Sequence, residues 1–447
     1  MEFNEFKNKL FDKARKEGLD EFEIYFSNKE SLSINIYKEE VEKYNLNKSF
    51  GVSFRAKLDG KMGYSYTEII DEDAINMLVK NAKDSALSIE DEDIQFIYEG
   101  DKNYEKVENY HKDLENIDAK ELIDLGLSME KECKIYSDKV VNFLGCGISY
   151  VNVEYGLMNS KGLELKDKSN LLTAYVVPVV DIDERKYDGF GYAMAKKVSD
   201  VNPKKIAKQA VDEAMEKVDA KSIKSGKYKI VIKNEAMVSL LQSFWSVFDA
   251  DSAQKGISLL KDKEGEIIAS NKVTIIDNPL LKDGLASVGF DDEGVKTIKK
   301  ELVSNGELKT LLHNLKTAYK ASIKSTGNGF KNSYASPVSV GPTNFYIENG
   351  NKNFDKLLSE LGEGLIITEF SGLHAGANAI TGEFSLAAKG FMIEDGKKSY
   401  PVEQITVAGN FFTLLKDIEE VCDDIKFPMS SFGSPSVFVK ELSVAGE

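Results

Sequence analysis

The sequence predicts an α+β protein: an N-terminal α/β half of helix-flanked antiparallel strands, built as two similar units, then a β-rich C-terminal half with few helices. Three observations predict it. Apolar residues recur at helical spacing in a few segments and alternate in many more, and beyond about residue 220 the composition shifts toward Gly, Ser and Thr. At 447 residues the chain also exceeds what one ordinary core can bury.

Phe3, Phe6, Leu10, Phe11 and Ala14 fall at helical spacing, and Gly18 follows a basic last turn, which predicts the first helix. Phe22, Ile24 and Phe26 then alternate, as do Leu32, Ile34 and Ile36. Val52, Phe54, Ala56 and Leu58 run into Asp59-Gly60, and Met62, Tyr64 and Tyr66 alternate on the return, the pattern of a β-hairpin with a favoured turn. A helix from about Asp73 to Leu87 closes this first unit, taken as residues 1–95. A second unit, 116–218, repeats the plan: a helix near Ala119–Cys133, strands around 140–155, a turn at Asn159–Gly162 and strands through 172–195. In its closing helix Asn202 is placed to cap, Pro203 suits the first turn, and Ile206, Ala207, Ala210, Val211, Ala214 and Met215 form one stripe. The charged stretch 217–227 is the expected boundary of a third, β-rich domain over 222–447. There a strand at 227–233 precedes a helix with Met237, Leu240, Leu241, Phe244, Trp245 and Phe248 on one face, and further helices are expected near Phe354–Leu361 and Phe412–Val421.

Composition narrows the function classes. The net charge is −16, and the arginines are Arg15, Arg55 and Arg185. Phosphate binding needs clustered cations, so nucleic acid is not an expected partner. The longest apolar stretch, Leu171 to Val180, carries Pro178 and is far short of a membrane span. The first residues are charged and show no secretory pattern. Cys133, Cys146 and Cys422 are odd in number without CxxC spacing, which suits a reduced, cytoplasmic protein.

His-based chemistry is limited to His111, His313 and His374, none followed by glutamate, so neither HExxH nor HExxxH occurs. A GxSxG elbow, a Walker A loop and a dinucleotide fingerprint are also missing. Three clusters stand out: Ser325–Gly329, glycine-dense and polar; His374–Asn378 followed by Thr381–Ser385; and the acidic turn Phe290–Gly294. Each is made of turn residues, so a purely structural turn stands beside a binding loop as its reading. The candidate cleft or substrate residues are Thr326, Gly327, Asn328, Gly329, His374, Asn378, Thr381 and Ser385. His374 is foremost among them, because it sits among small polar residues where a ligand has room to approach.

Taken together these blocks resemble the TldD/PmbA family, the peptidase family once called modulator of DNA gyrase. The resemblance rests on FDDEG at 290–294, the stretch from Gly306 to Gly329, HAGANAITGEFSLAAKGFMIEDGK from His374, PVEQITVAGNFFTLLKDIEEV from Pro401 and the LSVAGE ending. It implies a cytoplasmic two-subunit peptidase acting on peptides or unfolded polypeptide, with zinc held by one subunit on an HExxxH helix and a later cysteine. Without gaps from Gln254-Lys255-Gly256, that motif falls on Leu241-Gln242-Ser243-Phe244-Trp245-Ser246. The ligand positions become Leu241 and Ser246 and the catalytic glutamate position becomes Gln242, so this chain resembles the PmbA/TldE side. The resemblance therefore implies no catalytic residue and no cofactor on this chain, and zinc on an HExxxH-bearing TldD-like partner. It leaves homodimer and heterodimer both open. An independent hydrolase and a non-enzymatic regulatory binding protein remain the alternatives.

Overall fold

A computed structural model describes residues 1–90 and 94–447. The fold is α+β, and the chain separates into two compact units that are not continuous in sequence. Unit 1 comprises Met1–Glu213, Val288–Thr297 and His313–Gly341; unit 2 comprises Ala214–Ser287, Ile298–Leu312 and Pro342–Glu447.

Unit 1 begins with α1 (Phe3–Lys16), β1 (Phe22–Tyr37), β2 (Glu40–Leu58), β3 (Lys61–Thr67) and α2 (Glu72–Ser88). It continues with α3 (Ala119–Tyr136), β4 (Val140–Asn159), β5 (Glu164–Ile182), β6 (Arg185–Asp188), β7 (Gly191–Ala195) and α4 (Pro203–Glu216). The strands form one antiparallel sheet in the order β3-β2-β1-β4-β5-β6, with β7 also on β5. The strands of residues 1–95 and 116–218 therefore share a sheet, joined where β1 pairs with β4. The alternating runs at 22–26 and 32–36 belong to the single strand β1, because β2 and β4 pair with it along most of its length. Asp59 (φ 50°) and Gly60 (φ 82°) both take the left-handed conformation that a two-residue hairpin requires. Asp71 caps α2 through the Ala74 N–H (2.8 Å), and Asn202 accepts from Lys205 N–H (3.1 Å) at the start of α4.

Alternation gives the sheet two different faces. Phe22, Ile24, Val52 and Phe54 pack on Phe6, Leu10, Leu78 and Val79 of α1 and α2. Glu23, Tyr25, Ser53 and Arg55 point the opposite way, as period-two geometry demands, and meet the segments 288–297 and 313–341.

Unit 2 starts with β8 (Gly226–Ile232), α5 (Asn234–Phe244), α6 (Ala250–Gln254), β9 (Ile275–Asp277), β10 (Lys300–Ser304) and β11 (Glu307–Leu308). Between these in sequence and the rest of unit 2, α7 (Leu315–Lys320) and the hairpin of β12 (Gly329–Lys331) with β13 (Val338–Val340) belong to unit 1. Unit 2 resumes with β14 (Phe345–Ile347), α8 (Phe354–Leu361), β15 (Gly364–Ser371), α9 (Leu373–Gly376), β16 (Glu383–Glu394) and β17 (Lys397–Asn410). It ends with α10 (Phe411–Lys416), β18 (Ile418–Val421), β19 (Phe432–Gly433) and β20 (Val437–Ala445). Its sheets run β17-β16-β15-β8-β20-β18 and β11-β10-β9-β14-β19.

Two expectations need correction. The helix expected over Phe412–Val421 stops at Lys416, and Ile418–Val421 is strand β18, because pairing with β20 gives its backbone better partners than another helical turn. On the α5 face, Trp245 is only half-buried and Val247 takes the buried place. The chain tightens to a 3₁₀ turn over Trp245–Phe248, which changes the phase of the stripe.

Candidate functional site

The acidic turn is the organising feature of unit 1. Asp291 Oδ1 accepts the N–H groups of Glu293 (3.0 Å) and Val295 (2.9 Å), and Gly294 closes the turn at φ 84°. Its other oxygen, Oδ2, accepts Gly329 N–H at 2.9 Å. Asp292 Oδ2 accepts Lys331 N–H at 2.8 Å, and Glu293 Oε2 accepts Leu315 N–H at 2.7 Å, at the start of α7. Three consecutive carboxylates thus bind the backbone of two later stretches of the chain. Gly329 is required here, since a Cβ on it would lie 2.5 Å from Glu293 Oε2.

The same carboxylates meet charges from the sheet. Arg55 donates from Nε to Glu23 Oε1 (2.7 Å), and its Nη1 lies 3.9 Å from Glu293 Oε1. Lys331 Nζ donates to the Tyr64 hydroxyl (2.8 Å) and Ser53 Oγ (3.3 Å), and lies 5.3 Å from the centre of the Tyr25 ring. Glu23, Arg55, Asp291, Asp292 and Glu293 are all buried. Four carboxylates and two cations therefore share a low-dielectric space, where each ionisation state depends on its neighbours. Burial raises Asp291 well above the usual carboxylate range and Asp292 to about 6. Glu293 is also raised by burial, with Arg55 opposing. Burial, and then Arg55, lower Lys331 to about 8. Asp292 and Lys331 are thus groups able to hold or release a proton close to neutrality.

The Ser325–Gly329 loop is tied into this network. Thr326 Oγ1 lies 2.7 Å from Asn328 Oδ1 and accepts His313 N–H, also at 2.7 Å. Asn328 is fully buried and its Nδ2 donates to Gly341 O (2.9 Å). Gly327 (φ 70°) and Gly329 are buried beside it. His313 is buried too, and the loss of solvent lowers its imidazole to about 4. In the sequence Phe290–Gly294 reads as an acidic turn, and nothing within a few residues of it marks its distant partners. The one available signal was Arg55, an arginine inside the apolar alternation of Phe54 and Ala56.

The remaining candidates lie in unit 2 and are exposed. His374 is on the short helix α9, which packs beside α5. Asn378 Oδ1 accepts Ile380 N–H (2.9 Å) and Thr381 N–H (3.3 Å), and Thr381 Oγ1 accepts Glu383 N–H (3.3 Å). Asn378 and Ser385 line an open depression of about 490 Å³ with Gly376, Glu383 and Gly409, whereas His374 stands outside it.

Helix α5 carries the segment matched to HExxxH. Its start is anchored by Asp424, which accepts Ser436 N–H and Oγ–H, both at 2.7 Å, and lies 3.3 Å from Asn234 Nδ2. Leu241 is fully buried, Phe244 stacks on Phe411 at 4.6 Å, and exposed Gln242 donates to Ser430 Oγ (2.7 Å). The alkyl chain of Leu241 and the hydroxyl of Ser246 at the two ligand positions are not a zinc ligand set, so these residues do not fit the metal. Cys422 is buried with Val231, Leu357 and Phe391. Among the described residues, no group of three or more His, Cys, Asp or Glu is arranged to hold a metal ion.

Family models described as PmbA/TldA metallopeptidase domain 1, central domain and C-terminal domain match residues 22–86, 112–218 and 225–446. The chain belongs to the PmbA/TldD metallopeptidase family. It is 28% identical over 411 residues to an uncharacterized protein of Methanocaldococcus jannaschii, covering 92% of this chain and 93% of that protein. A Haemophilus influenzae protein named as a metalloprotease PmbA homolog is 25% identical, with 95% and 92% covered. The structure resembles a Thermotoga maritima protein described as a candidate modulator of a DNA gyrase, with TM-score 0.92, 34% identity and 99% and 100% of the two chains covered. TldE from Thermococcus kodakarensis shares the fold at TM-score 0.90 and 21% identity, over 99% and 100%.

Proposed function

We propose that this chain is a PmbA/TldE-type subunit that holds no metal and works with an HExxxH-bearing TldD-like partner in a zinc metalloprotease acting on peptides or unfolded polypeptide. The observation that supports this most directly is α5. Where the metal-bearing relatives need two ligands and a glutamate, the helix spends Leu241 on packing and Gln242 on a surface hydrogen bond. Metal-assisted hydrolysis needs a Lewis acid to generate hydroxide at neutral pH, and that chemistry falls to the partner. The contribution of this chain is to bind and orient the polypeptide. The exposed loop with His374, Asn378, Thr381 and Ser385 is the part of unit 2 proposed to face substrate.

The test is peptide hydrolysis by each chain alone and by the mixture, with a chelator control and elemental analysis of this chain. The mixture is expected to exceed the sum of the two, and this chain alone to carry no stoichiometric zinc. Full, chelator-insensitive activity from this chain alone would overturn the reading.

A further inference from the structure

Strand β17 pairs with both β16 and β20, so β17, β16, β15, β8 and β20 close into a barrel within unit 2. The wall opens at one place. Along one side of β20, β17 covers Ser443–Ala445 and β18 covers Val437–Val439, which leaves Lys440–Leu442 without a strand partner there among the described residues. On the other side β20 bulges: Val439 pairs with Ile230 and Leu442 with Tyr228, so Lys440 and Glu441 both stand against Lys229. A bulge increases the local twist and re-aims side chains.

The opening is a depression of about 580 Å³ lined by Lys227, Lys229, Lys440, Glu441, Asp417 and Gly409. Lys227 Nζ donates to Glu441 Oε1 at 2.6 Å, which occupies that carboxylate. Lys229 and Lys440 are exposed and form no ion pair among the described residues. Two uncommitted ammonium groups against the carboxylate of Asp417 leave one net positive charge. In a chain of net charge −16 this is a local reversal of sign, and it matches a single carboxylate.

Strand register connects this depression to the loop proposed to face substrate. Ser385 stands opposite Ala408, Ala408 opposite Ser443, and Ser443 opposite Lys227. Directly opposite residues share a face of the sheet, and Ser385, Ser443 and Lys227 are exposed on it. At about 4.8 Å between strands the row is about 14 Å long, the reach of about four extended residues. Ala408 and Gly409 line both the lysine depression and the one that holds Asn378 and Ser385, so the two adjoin. A chain laid along the row meets only small side chains until it reaches the lysines. Along β8 the same face is roofed from Val231 onward, where Val231 packs with Leu357 and Leu358 of α8. The row therefore suits a chain that ends at the lysines.

We infer that the Lys229–Lys440 depression receives the free C-terminal carboxylate of a peptide whose preceding residues lie across β20 and β17 toward Ser385. This rests on the reading of the chain as a polypeptide-binding subunit, and adds which end of the polypeptide it holds.

The experiment is isothermal titration calorimetry on the full chain with an N-acetylated glycine–alanine hexapeptide ending in either a free carboxylate or a carboxamide. It needs no zinc, partner or turnover. At low salt the acid is expected to bind at least tenfold more tightly than the amide, with the preference shrinking as salt is added. Lys229→Gln with Lys440→Gln should abolish the preference by weakening the acid alone. Amide binding and the melting curve should not change, since both residues are exposed. A carboxamide peptide with one internal aspartate should bind like the plain amide. Equal binding of acid and amide, a preference that survives the double substitution, or an aspartate amide as tight as the acid would each overturn the inference and leave polypeptide binding intact. Failure of wild type to bind any of the three peptides would overturn both the inference and the reading beneath it.

Discussion

Glu23 and Arg55 sit directly opposite each other on β1 and β2, joined by a 2.7 Å charge-assisted hydrogen bond in a space from which water is almost excluded. Arg55 stays charged because Glu23 and Glu293 outweigh the effect of burial. Removing one partner of such a group strands the other charge. Arg55→Met is therefore expected to destabilise unit 1 by about 3–5 kcal/mol. Arg55→Met with Glu23→Gln should recover part of that loss. Chemical denaturation of the two variants decides it; equal stability of Arg55→Met and wild type would show that the pair contributes nothing.

Asp292 gives a pH dependence whose direction is fixed by its surroundings. Its folded value, about 6, lies above the ordinary 3.8, so between the two the folded state binds more protons. Its contribution to stability is full below the unfolded value and is lost as pH rises through about 6. Lys331 behaves oppositely: lowered to about 8, its contribution is present above the ordinary 10.5 and lost as pH falls through about 8. The stability of wild type relative to Asp292→Asn is therefore expected to fall by on the order of 2 kcal/mol between pH 4 and pH 7. A difference that is flat across that range would remove Asp292 as a titrating group.

Writing the HExxxH letters into α5 is not expected to create a zinc site. Leu241→His would bury an imidazole among apolar side chains and is expected to cost roughly 2–4 kcal/mol. Gln242→Ala should change stability by less than about 0.5 kcal/mol, because the side chain is exposed. The triple change Leu241→His, Gln242→Glu, Ser246→His should still carry less than stoichiometric zinc by elemental analysis. A folded triple variant with one tightly held zinc would contradict this account of the helix.

The thiols provide a check on packing. Cys133, Cys146 and Cys422 are free and buried, and burial pushes Cys133 and Cys422 up to about 12 and Cys146 higher still. Thiolate is the reactive form, so iodoacetamide at pH 8 should label none of them in the native protein and all after unfolding, as read by mass. Rapid native labelling of Cys422 would mean that its core opens readily.

The sequence alone determined the elements whose signals are local. The helices α1, α2 and α8, the Asp59-Gly60 hairpin and the Asn202 cap follow from periodicity, turn conformation and capping, all of which act within a few residues. It also determined that HExxxH is absent, and that Leu241 and Gln242 are residues that neither ligate zinc nor act as a base. Only the tertiary structure decided that Glu23 and Arg55 meet a turn more than 200 residues away, that 288–297 and 313–341 join unit 1, and that Ile418–Val421 is a strand. These depend on which strands pair and what covers each face. Desolvation has no sequence spacing, so Asp291, Asp292 and Glu293 look like a solvated turn until burial makes them a charge network.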